Sequence, residues 1–378
     1  MNIGITCYPT YGGSGVVAAE LGKALAHRGH RIHFISYAMP MRLESFVENI
    51  SFHEVEMSSY PLFEFPLYTP SVTSKMVEVA RFHKLDLLHV HYAVPHAISA
   101  YLAKQILKNE IKIVTTLHGT DITLVGLEPS FLQLMKFSIE QSDGVTAVSR
   151  FLREKTLTNY GIRKEIDVIP NFIDPEKYKR IPSPNLQCTL APHDERILMH
   201  TSNFRAVKRV DDVVRIFHRV LEKVPSKLVL IGDGPERSNC EKLCRELGIF
   251  DAVKFVGKQT EIVDLLSVAD VFLMPSQSES FGLSALEAMA CEVPVVSSSV
   301  GGLPELVAHG ETGFIAEIGD VERMARYTID LLTNAPKHKQ FAAAARKRAV
   351  DLFAMDKIVD LYEAHYRDVI EEKLIPAN

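Results

Sequence analysis

The sequence predicts an α/β protein made of two doubly wound parallel-sheet domains in tandem. Three observations predict it. Its 378 residues exceed what one core usually supports, since cores stop growing near ~250–300 residues. Short β-rich runs alternate with helical stretches, the pattern of parallel sheets with crossover helices. That alternation breaks once, over Pro170–Pro192, and then restarts.

In the first half, strands are predicted at Asn2–Cys7, Arg31–Ser36, Ile50–Glu56, Asp86–His91, Lys112–Leu117, Gly144–Val148 and Ile166–Ile169. Helices are predicted at Val16–His27, Thr73–His83, His96–Leu107 and Phe131–Gln141. Pro170–Pro192 holds five prolines and no clean periodicity, so it reads as a connection. Strands resume at Arg196–Thr201, Lys227–Ile231, Val253–Val256, Val271–Met274, Val293–Ser297 and Gly313–Ala316. Their helices are Val210–Val224, Pro235–Leu247, Glu261–Ala269, Leu283–Cys291 and Val321–Thr333. A last stretch rich in Ala, Lys and Arg runs helically from Pro336 to Lys373. The expected organisation is a first domain over 1–170, a linker over 171–192 and a second domain over 193–355. A terminal helix over 356–378 is expected to pack back on the first domain. In such sheets ligands bind at the carboxyl ends of the strands.

Composition narrows the functions. Hydrophobic residues at 47% and charged residues at 24% fit a globular chain rather than a disordered one. A net charge of -5 argues against a polyanion such as nucleic acid as the main partner. Five scattered cysteines, an odd number, make no disulfide framework. Cys240 and Cys244 sit one helical turn apart, but no second ligand pair lies nearby, so they read as a helix face rather than half a zinc site. No charged stretch followed by an apolar one opens the chain, and no apolar run reaches the ~20 residues of a membrane span. A cytoplasmic location without stable membrane association is therefore expected.

The segment Pro275-Ser-Gln-Ser-Glu-Ser-Phe-Gly-Leu-Ser-Ala-Leu-Glu-Ala-Met-Ala290 carries the strongest chemical signal. It leaves an apolar strand and opens a helix near Gly282. The amides from Ser280 through Phe281 and Gly282 to Leu283 then form an anion site at a helix N-terminus. A diphosphate there would set a sugar hydroxyl near Glu279 and a ribose near Glu287, and carboxylates accept well from vicinal hydroxyls. The alternative is a solvent-facing Glu279 and a cap-region Glu287.

Two glutamates in the context Glu-x-Phe-Gly-Leu-x-x-x-Glu resemble the signature of the retaining family-4 glycosyltransferases. The resemblance extends along nearly the whole chain, through Gly12-Gly-Ser-Gly-Val16, His118-Gly-Thr-Asp121, Ala147-Val-Ser149, Pro170-Asn-Phe-Ile-Asp174, Lys208, Gly232-Asp-Gly-Pro235, Phe255-Val-Gly257 and Gly301-Gly-Leu-Pro-Glu305 with Gly313-Phe314. It implies the GT-B fold, two Rossmann-like domains facing a deep cleft. Finer likeness lies in Gly4-Ile-Thr-Cys-Tyr-Pro-Thr-Tyr-Gly-Gly-Ser-Gly-Val16 and Ser202-Asn-Phe-Arg-Ala-Val-Lys-Arg209. That likeness implies UDP-N-acetylglucosamine as donor and L-malate as acceptor, in bacillithiol biosynthesis.

The resemblance assigns Glu279, His118 and Lys208 to the catalytic centre. Many family members carry an Arg five residues before the Lys, where this chain has Asn203. Arg205, three residues before Lys208, is expected to supply that guanidinium from a shifted position. Together with Arg209 it forms a basic cluster able to neutralise a leaving diphosphate in place of a metal. Gly13, Gly15, Asn203, Gly232, Gly234, Gly257 and Glu287 join Ser280–Leu283 in the expected donor site. For the acceptor, strand-end groups that suit two carboxylates are Ser14, Tyr92, Thr120, Arg150 and Asn171. No Asp-x-Asp pair is present, so no metal and no cofactor are expected; the UDP-sugar is a substrate.

Other readings compete. Gly13-Ser-Gly-Val-Val-Ala18 satisfies a dinucleotide fingerprint, but the next strand ends at Ser36-Tyr37 without the acid that holds a ribose. His89, His91, His96 and His118 with Asp121 suggest a metal-dependent hydrolase, against structural histidines for His89 and His91. A UDP-sugar epimerase or hydrolase, an NAD-dependent oxidoreductase, a non-catalytic sugar-nucleotide sensor, and a transferase with a lipid or sugar acceptor remain as alternatives. Oligomeric state is left open.

Overall fold

The computed structural model describes residues 1–9, 12–43, 46–57, 65–123 and 128–371. Thr10 and Tyr11 of the glycine-rich opening, and residues 372–378 of the terminal helical stretch, lie outside the described residues. The chain divides into two compact units, Met1–Asn171 with Asp356–Asn378, and Phe172–Met355.

The first unit opens with β1 (Asn2–Thr6), α1 (Gly13–His27), β2 (Arg31–Ser36), β3 (Ile50–Glu54), α2 (Tyr68–His83) and β4 (Leu87–His91). It continues with α3 (Ile98–Ile106), β5 (Lys112–Leu117), α4 (Thr120–Thr123), α5 (Leu132–Gln141), β6 (Gly144–Ala147), α6 (Arg150–Tyr160) and β7 (Asp167–Val168). Its seven strands are ordered β3-β2-β1-β4-β5-β6-β7, and every pair is parallel. Strand β4 is buried along its whole length, as a parallel sheet covered on both faces requires. Val72, Met76, Val79 and Ala80 of α2 pack with Ile35, Leu88, Val90 and Ile113 of the sheet.

The second unit contains α7 (Pro184–Leu190), β8 (Arg196–Thr201), α8 (Val210–Leu221), β9 (Ser226–Ile231), α9 (Arg237–Glu246) and β10 (Val253–Gly257). It goes on through α10 (Val263–Ser267), β11 (Val271–Met274), α11 (Leu283–Ala290), β12 (Val295–Ser298), α12 (Leu303–Leu306), β13 (Gly313–Ala316), α13 (Val321–Thr333) and α14 (Ala335–Phe353). Its six parallel strands follow the order β10-β9-β8-β11-β12-β13. The final helix, α15 (Met355–Ile370), lies almost wholly in the stretch that returns to the first unit. There Tyr366 bonds His89 at 2.7 Å and His365 bonds Asp167 at 2.7 Å.

Several elements differ from the sequence reading. Helix α1 begins at Gly13 rather than Val16, because its first bond runs from the Val16 amide to the Gly12 carbonyl at 3.3 Å. Gly13, Ser14 and Gly15 are thus a first helical turn rather than a loop. Helix α6 was not predicted, although Ser149 caps it by accepting from the Leu152 amide at 3.1 Å and Gly161 ends it in the left-handed region. The terminal helical stretch is two helices. Ala354 adopts extended backbone between them and bridges Ile173, which accepts from the Met355 amide at 2.9 Å. Within 171–192 the chain forms α7 and buries Tyr178. Cys240 and Cys244 lie in the hydrophobic core of the second unit.

Candidate functional site

In a doubly wound sheet the crevice forms where strand order reverses. The first unit reverses between β1 and β4, the second between β8 and β11. The residues that follow those four strands therefore set the chemistry.

In the second unit, Lys208 follows β8 and Glu279 follows β11. They form an ion pair between Lys208 Nζ and Glu279 Oε1 across the reversal. Ser276 donates its hydroxyl to the same carboxylate oxygen at 3.2 Å. The loop after β12 fixes Glu279 from behind. Gly301 adopts φ +59°, and a Cβ there would stand 1.6 Å from the Glu279 carbonyl oxygen. That carbonyl accepts from the Gly302 amide at 3.0 Å. Only glycine permits both the conformation and the approach.

A second close approach shapes the turn after β9. Gly232, at φ +119°, packs on the Ser202 carbonyl, where a Cβ would stand 1.8 Å away. A Cβ on Gly234 would meet the Asn203 carbonyl oxygen at 2.1 Å. The Gly232 amide donates to the Gly257 carbonyl at 2.8 Å, so three of the predicted glycines and Asn203 come together. The Asn203 Oδ1 is buried with no hydrogen-bond partner among the described residues. An unpaired buried acceptor is costly, and a ligand donor would satisfy it.

Helix α11 begins immediately after Gly282 and puts Glu287 in its second turn. Glu287 is buried and accepts from the Tyr178 hydroxyl at 2.8 Å. The ring of Phe281 is buried against Phe353, so it offers a ligand its backbone rather than its side chain. Ser280 and Leu283 flank it at the entrance to the helix. Arg205 is exposed, and Arg209 is ion-paired to Asp212 at 2.6 Å. The basic cluster read from the sequence is therefore reduced, since Glu279 pairs with Lys208 and Asp212 with Arg209. His200 beneath the site donates Nδ1–H to the Leu273 carbonyl at 2.8 Å and meets Ser202 at 2.8 Å through Nε2. Burial holds its pKa down at about 4, so it is neutral near pH 7.

The first unit contains a different set. Ser14, in the first turn of α1, and Tyr92, just after β4, meet through their hydroxyls at 2.8 Å. The Tyr92 hydroxyl also bonds the Thr120 side chain, and burial pushes its pKa up to about 12. Three predicted acceptor residues are thereby joined at one hydroxyl. His118 bonds His91 through its Nε2 at 2.7 Å, and burial lowers the His118 pKa to about 3. The Nε2 of His91 is buried and unpartnered among the described residues.

His89 has both nitrogens occupied, by Tyr366 and by Thr116 at 2.7 Å each. His96 donates Nδ1–H to the His91 carbonyl at 2.6 Å and meets the Tyr68 hydroxyl at 2.7 Å. Saturated rings leave neither residue a lone pair for a metal, which answers the hydrolase reading for these two. Arg150 is the exposed first residue of α6, and Asn171 follows β7 with a buried, unpartnered Oδ1. They lie after the second and third strands beyond β4, so the sheet does not bring them to the Ser14–Tyr92 pair.

Two residues were missed. Asp121, given only a possible metal role in sequence, is buried and accepts from the amides of Ala93 at 3.1 Å and Gly119 at 2.9 Å. Burial raises its pKa to about 6 against those bonds. The signal was present, four residues after Leu117 at a strand end. Tyr178 had none, since it lies in a proline-rich stretch and reaches Glu287 only in three dimensions.

Comparisons with known proteins bear on the family and the fold. Residues 185–348 match the family described as Glycosyl transferases group 1, and residues 11–177 match Glycosyltransferase Family 4. The chain is 48% identical over 98% of its length, and 98% of the other's, to the N-acetyl-alpha-D-glucosaminyl L-malate synthase of Bacillus anthracis. It is 26% identical over 75% of its length to a GDP-mannose-dependent alpha-(1-6)-phosphatidylinositol monomannoside mannosyltransferase of Mycolicibacterium smegmatis, covering 76% of that protein. Among solved structures, Anabaena HepE in complex with UDP and glucose matches with a TM-score of 0.82 at 22% identity, over 96% of this chain and 98% of that one. Sucrose-phosphate synthase from Thermosynechococcus elongatus matches with a TM-score of 0.81 at 22% identity, over 98% and 100%. These two likenesses establish the fold.

Proposed function

This chain belongs to glycosyltransferase family 4, and from that premise we propose that it moves N-acetylglucosamine from UDP-N-acetylglucosamine to the hydroxyl of L-malate. The product, N-acetyl-α-glucosaminyl L-malate, serves bacillithiol biosynthesis. The observation that carries the substrate assignment is the full-length likeness to the Bacillus anthracis synthase.

The second unit binds the donor. Glu287, steadied by Tyr178, takes the ribose hydroxyls. Asn203 and the glycines at 232, 234 and 257 line the nucleotide. The amides at the start of α11 receive the diphosphate with Lys208 and Arg205. Donor binding draws Lys208 from Glu279 to the phosphate oxygens and leaves Glu279 to orient the sugar. In the first unit Ser14, Tyr92 and Thr120 hold malate, and the neutral His118 bonds a sugar hydroxyl.

The step balances without a protein nucleophile. The bond from the anomeric carbon to the β-phosphate oxygen breaks. The malate oxygen bonds that carbon on the same face, and its proton passes to a leaving phosphate oxygen. Configuration is retained, and the phosphate departs as UDP. Positioned cations commonly supply the largest share of such catalysis. Lys208 and Arg205 do so here in place of a divalent ion.

Mass spectrometry of products from UDP-N-acetylglucosamine, with and without L-malate, tests the reading. A malate glycoside that still forms in excess EDTA is the expected outcome. Sugar loss at the same rate without malate would make the protein a hydrolase. Product with a lipid or sugar acceptor but none with malate would overturn the acceptor alone.

A further inference from the structure

Among the described residues, one group of side chains has metal-ligand chemistry that the transfer reaction leaves unused. It consists of His33, His53 and His83, whose nearest ring nitrogens all lie within 4.8 Å of one another. The sequence hides the group, because the three come from separate elements. His33 is on β2, His53 on β3, and His83 ends α2. In the β2–β3 register His33 faces Ser51 and Ile35 faces His53, so His33 and His53 are diagonal neighbours on one face of the sheet. Ile35 of that same face packs with α2, which brings His83 over the pair. His33 Nδ1 and His53 Nε2 are already 3.0 Å apart. The His83 ring lies 4.2 Å from that of His33 and 5.0 Å from that of His53, centroid to centroid.

We propose that these three imidazoles form a binding site for a borderline divalent transition ion, zinc above all, with water as its fourth ligand. Imidazole nitrogen suits zinc, copper and nickel rather than magnesium or calcium. Three protein nitrogens plus an open position is a recurrent zinc arrangement, with nitrogens about 2.0–2.1 Å from the ion. Such bonds place tetrahedral nitrogens slightly farther apart than the His33–His53 contact, so the rings need turn only modestly. His53 and His83 are half-buried, whereas the buried His33 anchors the site. One of the facing His33 Nδ1 and His53 Nε2 atoms carries the proton of their mutual hydrogen bond, and an ion bound between them displaces it.

The site is structural rather than catalytic. It lies on β2, β3 and α2, outside the β1–β4 reversal where Ser14 and Tyr92 meet. Among the described residues β3 is the last strand at its end of the first sheet. An ion held by β2, β3 and α2 ties that strand to the helix end that carries His83.

The test titrates the chelator-stripped full chain with zinc chloride by calorimetry and with cobalt(II) by absorption. One ion per chain, a tetrahedral cobalt spectrum and a melting temperature that rises with zinc are expected. His53→Gln and His83→Gln change half-buried rings and preserve the buried anchor. Each should weaken zinc binding by at least about tenfold and abolish the zinc-dependent rise in melting temperature. Circular dichroism verifies that both variants are folded. Absence of saturable binding, or affinity unchanged in the two folded variants, would overturn the proposal. Transfer activity measured in parallel should not depend on zinc, so the fate of the substrate assignment is read separately.

Discussion

The two sheets reverse in the same way but carry opposite chemistry at the reversal. In the first unit two neutral hydroxyls, Ser14 and Tyr92, meet there. In the second an ion pair, Lys208 with Glu279, occupies the equivalent position. The contrast extends inward. Among the described residues, desolvation drives down the pKa values of His33, His53, His89, His91, His96 and His118 in the first unit and of His200 in the second. One topology therefore places paired hydroxyls at the reversal in one unit and an ion pair in the other. The sheet supplies the place, and the strand-end residues supply the charge.

Acid should separate the two units most strongly. A histidine with a folded pKa of about 3 or 4 and an unfolded value of about 6.5 takes up its proton mainly on unfolding. Its contribution to stability is complete above the unfolded value and is lost as pH falls from there toward the folded value. Each such group contributes about tenfold per pH unit within that window. Asp121 opposes this in the first unit, since its raised pKa of about 6 favours the folded state between there and 3.8. One carboxyl does not offset several imidazoles. Amide exchange followed by mass spectrometry from pH 8 down to 5 should therefore show the first unit opening before the second. Simultaneous opening would erase the distinction.

Lys208→Ala tests the charged side. If Lys208 stabilises the departing diphosphate, kcat should fall about 10²–10³-fold, with UDP affinity changed far less. An equal loss in binding and in rate would make Lys208 a simple anchor. Glu287→Ala should weaken UDP binding by about tenfold or more in calorimetry, because a buried charge-assisted bond to the ribose is removed. Tyr178→Phe should do the same more weakly, through the carboxylate it steadies. Unchanged UDP affinity in Glu287→Ala would overturn the ribose assignment.

The neutral side should yield the smallest effect. Tyr92→Phe removes the hydroxyl shared by Ser14 and Thr120, and the KM for malate should rise about two- to tenfold while UDP affinity stays constant. A change in UDP affinity instead would move Tyr92 to the donor.

Much of this was legible in the chain. Period, strand length and the single proline-rich break gave both sheets, and the helix opening at Gly282 marked Glu279 and Glu287. Boundaries failed where glycine or serine stood at a helix start. Gly13 to Gly15 were read as a loop ahead of the helix, and α6 was passed over although Ser149 and Gly161 bracket it. Capping chemistry, rather than periodicity, defines those ends.

The sequence by itself determined the two-sheet architecture, the family and the helix that opens after Gly282, because each is written in local periodicity or in a contiguous motif. Tertiary structure decided the rest. It paired Lys208 with Glu279 across 71 positions, Tyr178 with Glu287 across 109, and His89 with Tyr366 across 277. It gathered His33, His53 and His83 from a strand, its neighbour and a helix end. Strand order and register set such meetings, and both depend on how buried faces pack rather than on any spacing along the chain.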